Sequence, residues 1–330
     1  MEMRRLGVYG PLVSSVSLGA MGVSGTYGPS TEAETMRLFA RAVDLGVNHF
    51  DTADIYGMGL SEELIGRFLK QTRARIVIST KAGIRFIPAT GERRVDNSAA
   101  YIRGSLEKSL KRLGRDHIEL FYLGRRDPNR PIDEVMETLV QLKREGKIGA
   151  IGLSEVSPET LRQADKVHRI AAVQSEFSLW TRDIERTLLK ACADLRTTFV
   201  AFAPLGRGML TGLTPDPAAF TNGDFRRAIP RFQEPAFSQN RAALDAYKAL
   251  CQRLAKTPAQ VALAWILSAG EHVIAIPGTR TAEHLEANAA AAALKLTSEQ
   301  RREIAAAFPP GFPWGERFSS NQSIGVEPSS

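Results

Sequence analysis

GVNHFDTADIYG, residues 46–57, places Asp51, Asp54 and Tyr56 directly after a short apolar run that ends at Phe50. A run this short, without clean alternation, fits a strand covered on both faces. Its polar residues then fall at and just beyond the strand end. A tyrosine is a poor proton donor at neutral pH, because its ordinary pKa is about 10. An ammonium beside it would favour the phenolate and lower that pKa. STKAG, 79–83, offers one, since Lys81 follows the next apolar run, Ile76–Ser79. A buried lysine needs an anion to stay charged, and Asp51 meets that need. Asp54 reads as a cap or brace of the loop.

Further out, the rhythm repeats. Val16–Gly19, His49–Phe50, Ile76–Ser79, Ile118–Leu123, Ile148–Gly152, Ala172–Gln174, Thr198–Phe202 and Val273–Ile276 are short runs of strand character. Helical patterns lie over 31–46, 61–72, 98–113, 131–145, 158–167, 182–195, 239–256, 258–268 and 281–291, with Ser30 or Thr31 capping the first. This order predicts an α/β protein, a closed (β/α)8 TIM barrel formed by residues 1–318 as one domain. Leu6–Val13 reads as a hairpin closing the barrel bottom. Arg85–Asn97 and Leu205–Gln239 show no regular pattern. As long loops after strands, they belong over the C-terminal face, where barrel sites are built. Phe312, Trp314 and Phe318 are expected to fold over the same rim. Residues 319–330 are expected to be a flexible tail, frayed from Gly325 onward.

The chain has 330 residues, 43% apolar and 24% charged, with a formal net charge of +7. Its basic residues are mixed with acids and form no zinc-finger, RNA-binding or basic-helix pattern. The excess suits a cationic pocket for an anionic cofactor or substrate and argues against nucleic acid. No stretch approaches the roughly 20 apolar residues of a membrane span, and MEMRRLGVYG lacks the apolar run of a signal peptide. Cys192 and Cys251 sit in helical patterns and read as reduced, packed thiols of a cytoplasmic protein. No repeat or heptad decides between a monomer and a homo-oligomer.

Seven segments in order carry a resemblance over about residues 4–318. They are GVNHFDTADIYG (46–57), STKAG (79–83), SLKRLGRDHIELFYL (109–123), GKIGAIGLSE (146–155), VQSEFSLWTR (173–182), APLGRGMLTG (203–212) and IPGTRTAEHLEAN (276–288). The chain resembles the aldo-keto reductase superfamily, and within it the bacterial branch similar to the potassium-channel beta-subunit-like oxidoreductases. The resemblance implies metal-free hydride transfer from NADPH to a carbonyl, with Tyr56 as general acid, Lys81 beside it and Asp51 paired to Lys81. It implies that Ser154, Gln174 and the position of Glu155 hold the nicotinamide carboxamide, and that Phe202 stacks on the ring. Leu205, Gly206 and Arg207 would wrap the pyrophosphate. Gly278, Thr279, Arg280 and His284 would surround a 2'-phosphate, with Asn288 on the adenine, which favours NADPH/NADP+ over NADH. Helix N-terminal amides with an arginine suit a phosphate in any case. His284 reads equally well as a solvated helical residue.

The pattern breaks at YLGRRDP, 122–128, where the family's fourth catalytic residue, a histidine, is replaced by Gly124. Of Arg125 and Arg126, adjacent strand positions that face opposite ways, at most one points to the barrel mouth. Four accounts are open: reduction of a ketone or aldehyde, sugar-like or of natural-product type, with water or a substrate hydroxyl in the gap; reduction of an activated alkene (an enone) or an imine; an NADP(H)-binding protein of low activity; or a variant inactivated at this position. Retention of Asp51, Tyr56 and Lys81 favours the first. Pocket candidates from the loops are Tyr27, Ile84, Phe86, Arg94, Trp180, Phe225 and Phe232, whose aromatics imply a sizeable apolar or planar substrate. The arginines of GERR (91–94) and DFRR (224–227) either read a carboxylate or phosphate or are solvated loop charges.

Overall fold

In the computed structural model, which describes residues 1–309 and 311–328, an antiparallel hairpin of β1 (Met3–Arg5) and β2 (Leu12–Ser14) opens the chain. Three parallel strands follow, β3 (Leu18–Gly19), β4 (His49–Asp51) and β5 (Val77–Ala82). A second hairpin, β6 (Ile84–Ile87) with β7 (Glu92–Val95), intervenes. Then come β8 (Ile118–Leu123), β9 (Ile148–Ser154), β10 (Ala172–Glu176), β11 (Thr198–Phe202) and β12 (Val273–Ala275). The parallel strands order as β12-β11-β10-β9-β8-β5-β4-β3. A bridge between Val16 and Ala275, with Ser17 N donating to Ala275 O at 2.8 Å, brings the two edges together. The expected (β/α)8 barrel is the fold.

Strand alternation divides its apolar residues between two layers. Leu120 and Tyr122 of β8 point inward, with Val77, Ala172, Val200 and Ile274, and Leu6 and Val13 of the first hairpin plug the bottom of this interior. Phe121 and Leu123 point outward to the helices. Both faces being covered, the strands read as unbroken apolar runs. Gly152 is required here: a Cβ on it would lie 2.4 Å from the Tyr122 ring.

Helices begin where their caps predict. Thr31 and Glu34 form a capping box for Glu32–Asp44, and Thr257 and Gln260 one for Pro258–Leu267. The helix expected over 182–195 shrinks to Leu188–Asp194. An unexpected one, Ser298–Ala306, follows a third capping box of Thr297 and Gln300. No helix of the described residues is long and apolar enough to cross a membrane.

The rim differs from expectation in two places. Arg85–Asn97 is largely the β6–β7 hairpin rather than irregular loop. Residues 319–328 are tied down instead of loose: Arg126 N donates to Gly325 O, the Glu327 carboxylate pairs with Arg126 at 2.8 Å and accepts from Ser157 N at 2.8 Å, and Glu327 N donates to Glu155 O. Ser329 and Ser330 of the expected tail lie outside the described residues.

Candidate active site

Period-2 alternation puts His49 and Asp51 of β4, and Ser79 and Lys81 of β5, on one face of neighbouring strands. They form one buried chain. His49 lies 3.0 Å from both Ser17 Oγ and Ser79 Oγ. Ser79 Oγ donates to Asp51 Oδ2 at 2.6 Å, and Gln174 Nε2 donates to the same oxygen at 2.9 Å. Lys81 Nζ meets Asp51 Oδ1 at 2.5 Å and Thr52 O at 2.6 Å. Burial holds His49 down to about 4, so it stays neutral.

Tyr56 begins the turn after β4, and Lys81 Nζ lies 5.2 Å from the centroid of its ring. Burial would lower the Lys81 pKa, but Asp51 and then Tyr56 outweigh it and raise it, so the amine stays an ammonium. For Tyr56 the sequence-based expectation is corrected. Burial raises its pKa above the ordinary value; Lys81 pulls it down without winning, and Asp51 adds to the rise. The phenol is therefore fully protonated at neutral pH. Lys81 instead makes its contribution as negative charge develops on the oxygens before it.

These groups border a cavity of about 150 Å³ at the C-terminal ends of the strands, lined among others by Asp54, Tyr56, Lys81, Ile84, Gly124, Ser154, Gln174, Phe202, Arg207 and Phe225. The predicted site residues among these are brought together, and Asp54, read from the sequence as a cap or brace of the loop, is on the wall as well. Asp54 is raised to about 7 by burial and by Glu62, against Arg112. Arg207 adopts φ 55° between two positive-φ glycines and donates to Glu176 at 3.1 Å and to the Tyr27 hydroxyl at 3.2 Å. That backbone region is strained for a non-glycine residue, and the two side-chain contacts help hold Arg207 in it. Tyr27 thus braces Arg207 without itself lining the cavity.

Other predicted residues lie elsewhere. Glu155 turns away at φ 56° and pairs with Arg317 at 2.6 Å while accepting from Glu176 N, so its carboxylate is not at the cavity. Trp180 is core, packed edge-on to Phe312 at 5.1 Å. Phe232 is core between Phe220 and Phe237. Arg94 is exposed and pairs with Glu92, whereas Arg93, one position earlier and on the opposite face of β7, lines the cavity. Phe86 lies opposite Arg93 on β6 but does not reach the cavity wall. Leu205 and Gly206 are buried in the turn after β11. Gly278, Thr279 and Arg280 stand apart from the cavity, before helix Ala282–Ala290, on which His284 is exposed and Asn288 buried. Arg280 donates to Pro29 O at 2.7 Å, and a Cβ at Gly28 would touch its guanidinium at 3.1 Å. A helix N-terminus capped by Thr281, a buried threonine, Thr279, and a guanidinium whose hydrogen-bond partner among the described residues is a carbonyl suit a phosphate.

Sequence reasoning missed Met21, Thr26 and Gln322 on the wall and left Arg125 undecided, while Phe318, expected over the rim, is on the wall. Arg125 is the arginine at the mouth. Its Nη1 donates to Gly124 O at 2.7 Å and to Ser154 Oγ at 3.3 Å, while Arg126 is turned to Glu327. At Gly124 a Cβ would meet Ala82 O at 3.1 Å. Adjacent-position alternation allowed at most one of the two arginines to face inward and did not say which.

A proton-bearing phenol, an ammonium fixed by a carboxylate, and a cavity at strand ends form a unit that can donate a proton to a carbonyl oxygen. The family model for the aldo/keto reductase family matches residues 15–308. Among similar proteins, the NADP(+) aldo-keto reductase yakc of Schizosaccharomyces pombe is 41% identical over 297 residues, 88% of this chain and 87% of that one. A probable aldo-keto reductase of Glycine max is 41% identical over 318 residues, covering 95% and 91%. A glycerol dehydrogenase of Gluconobacter oxydans superposes with a TM-score of 0.83 at 30% identity, covering 92% and 94%. A holo-form aldo-keto reductase of Bacillus halodurans gives 0.74 at 27%, covering 94% and 97%. By sequence and by architecture, this chain belongs to the aldo/keto reductase family.

Proposed function

We propose that the protein reduces an aldehyde or ketone with NADPH, using Tyr56 as the proton donor. The observation that carries this reading is the Lys81 ammonium, fixed by Asp51 at 2.5 Å and lying against the Tyr56 ring at the cavity. NADPH, when bound, would supply the hydride. Ser154 and the Gln174 carbonyl would orient its carboxamide, with Phe202 against the ring, and Arg207 would meet its pyrophosphate. Gly278, Thr279, Arg280 and Asn288 would take the adenosine end, a reading supported by the NADP(+) named for the fission-yeast relative.

Within this reading, residues 1–318 act as one catalytic domain. Tyr56 holds its proton until charge appears on the substrate oxygen. Lys81 then stabilises the phenolate that remains, and Asp51, braced by Ser79 and Gln174, keeps Lys81 charged and in place. Gly124, standing where the resemblance places a histidine, removes one orienting group and leaves room for water or for part of the substrate.

The test is NADPH consumption by the purified protein across a panel of neutral and anionic aldehydes, with NADH run in parallel. The reading expects aldehyde-dependent oxidation that is faster with NADPH. No aldehyde-dependent oxidation of either coenzyme would overturn it.

A further inference from the structure

The cations around the cavity are unequally neutralised. Lys81 has Asp51, and Arg207 has Glu176. Just behind the wall, Arg317 takes Glu155, and Arg231 shares Glu176. Arg93 and Arg125, both on the wall, form no ion pair among the described residues. Their partners are neutral. Arg125 donates to Gly124 O and Ser154 Oγ, its Nε is buried without a hydrogen-bond partner, and its guanidinium lies 5.9 Å from the Phe318 ring centroid. The Arg93 guanidinium lies 5.6 Å from the Phe225 ring centroid. Aromatic faces hold a guanidinium in place without neutralising it. The one carboxyl on the wall is Asp54, which burial raises to about 7.

Two half-buried positive charges without an ion pair carry a desolvation cost that hydrogen bonds and aromatic faces offset in part and an anion would offset further. Arg207, assigned above to the coenzyme's pyrophosphate, lines the same cavity, whereas Arg93 and Arg125 have no such assignment and stand with Tyr56 and Lys81, where an anionic group carried by the substrate would meet them. The adenosine-phosphate candidates Thr279 and Arg280 are not on this wall. Guanidinium forks match the planar, two-oxygen face of a carboxylate and also suit a phosphate.

We propose that the substrate is an aldehyde or ketone bearing an anionic group, a carboxylate or a phosphate, held by Arg93 and Arg125. This rests on the carbonyl-reductase reading for its reaction but not for its binding site. Phe202, Phe225, Phe318 and Ile84 complete an apolar wall for the body of such a molecule. With no imidazole at Gly124, anchoring by the two arginines takes over part of the task of aiming the carbonyl at Tyr56.

Calorimetric titration of the NADP+-loaded protein with benzoate, phenyl phosphate and neutral benzamide tests the site without turnover. At least one anion is expected to bind about tenfold or more tightly than benzamide. Arg93→Gln and Arg125→Gln should each cut that preference by about tenfold; the exposed Arg94→Gln should not. The stronger of the two anions identifies the group. Anions that bind no more tightly than benzamide to the unaltered protein would overturn the inference, as would a preference that survives both substitutions. Comparing turnover of 4-carboxybenzaldehyde with that of its methyl ester separates the two readings. Anion binding without turnover of either aldehyde would support the site and remove the reductase reading. Turnover that favours the ester, with no anion binding, would do the reverse.

Discussion

Tyr56 is a weaker acid than a free phenol in this fold, despite the ammonium beside it, because burial outweighs Lys81. Reduction should therefore hold a flat pH profile well into the alkaline range. It should fall only as pH rises through a pKa above the ordinary phenol value, where the donor loses its proton. Lys81→Met removes the charge that steadies the phenolate. We expect kcat to drop by about 10²–10³, with NADPH affinity, followed by fluorescence, little changed. Asp54 offers a stability test of opposite sign to the usual carboxylate. Its folded pKa, about 7, lies above the ordinary value. Its protonated form thus favours the fold below pH 4, and that contribution is lost as pH rises through 7. Asp54→Asn should gain stability relative to the parent as pH rises from 4 to 8, by about 1–4 kcal/mol in urea unfolding. A constant difference across that range would mean that Asp54 does not take up its proton more readily in the fold than in the unfolded chain. The Asp51–Lys81 pair was legible because each residue is a charge placed at the end of an apolar run. The His49–Ser79 support was legible only through strand alternation. The outward course of the Glu155 side chain was not legible, because the left-handed turn that swings it toward Arg317 leaves no mark in GLSE.

At the scale of elements, the β6–β7 hairpin shows where pattern reading fails. ERRV has no apolar alternation because the inward face of β7 meets a cavity, not a core, and Arg93 occupies it. Facing across the ladder, Arg94 opposes Arg85 and Arg93 opposes Phe86, so a shift of one residue exchanges wall for solvent. Arg94→Ala should alter stability and kcat/KM by no more than about 0.5 kcal/mol equivalent, as measured by urea unfolding and steady-state kinetics. A larger effect would mean that the hairpin register is wrong. The barrel strands were readable for the converse reason: inside layer and outside layer are both apolar, and each run is short. Helix Ser298–Ala306 was missed although its capping box, Thr297 with Gln300, stood in the sequence.

For the molecule as a whole, the chain's last described segment completes the mouth that the barrel begins. Phe318 and Gln322 line the cavity, and Glu327 fastens the segment to Arg126 and Ser157. Truncation after Ser320 should raise KM for the carbonyl substrate by about tenfold, since it opens one wall, while the barrel's melting temperature falls by only a few degrees. An unchanged KM would show that the segment is not part of the site. Long-range docking of this kind has no local signature, which is why a Pro-, Gly- and Ser-rich tail read as loose. Turnover of NADPH and an aldehyde by Tyr56→Phe asks whether the Tyr56 hydroxyl delivers the proton. The predicted result is a fall in kcat of about 10²–10⁴ with coenzyme affinity retained within about twofold. Retention of most of the activity would contradict it.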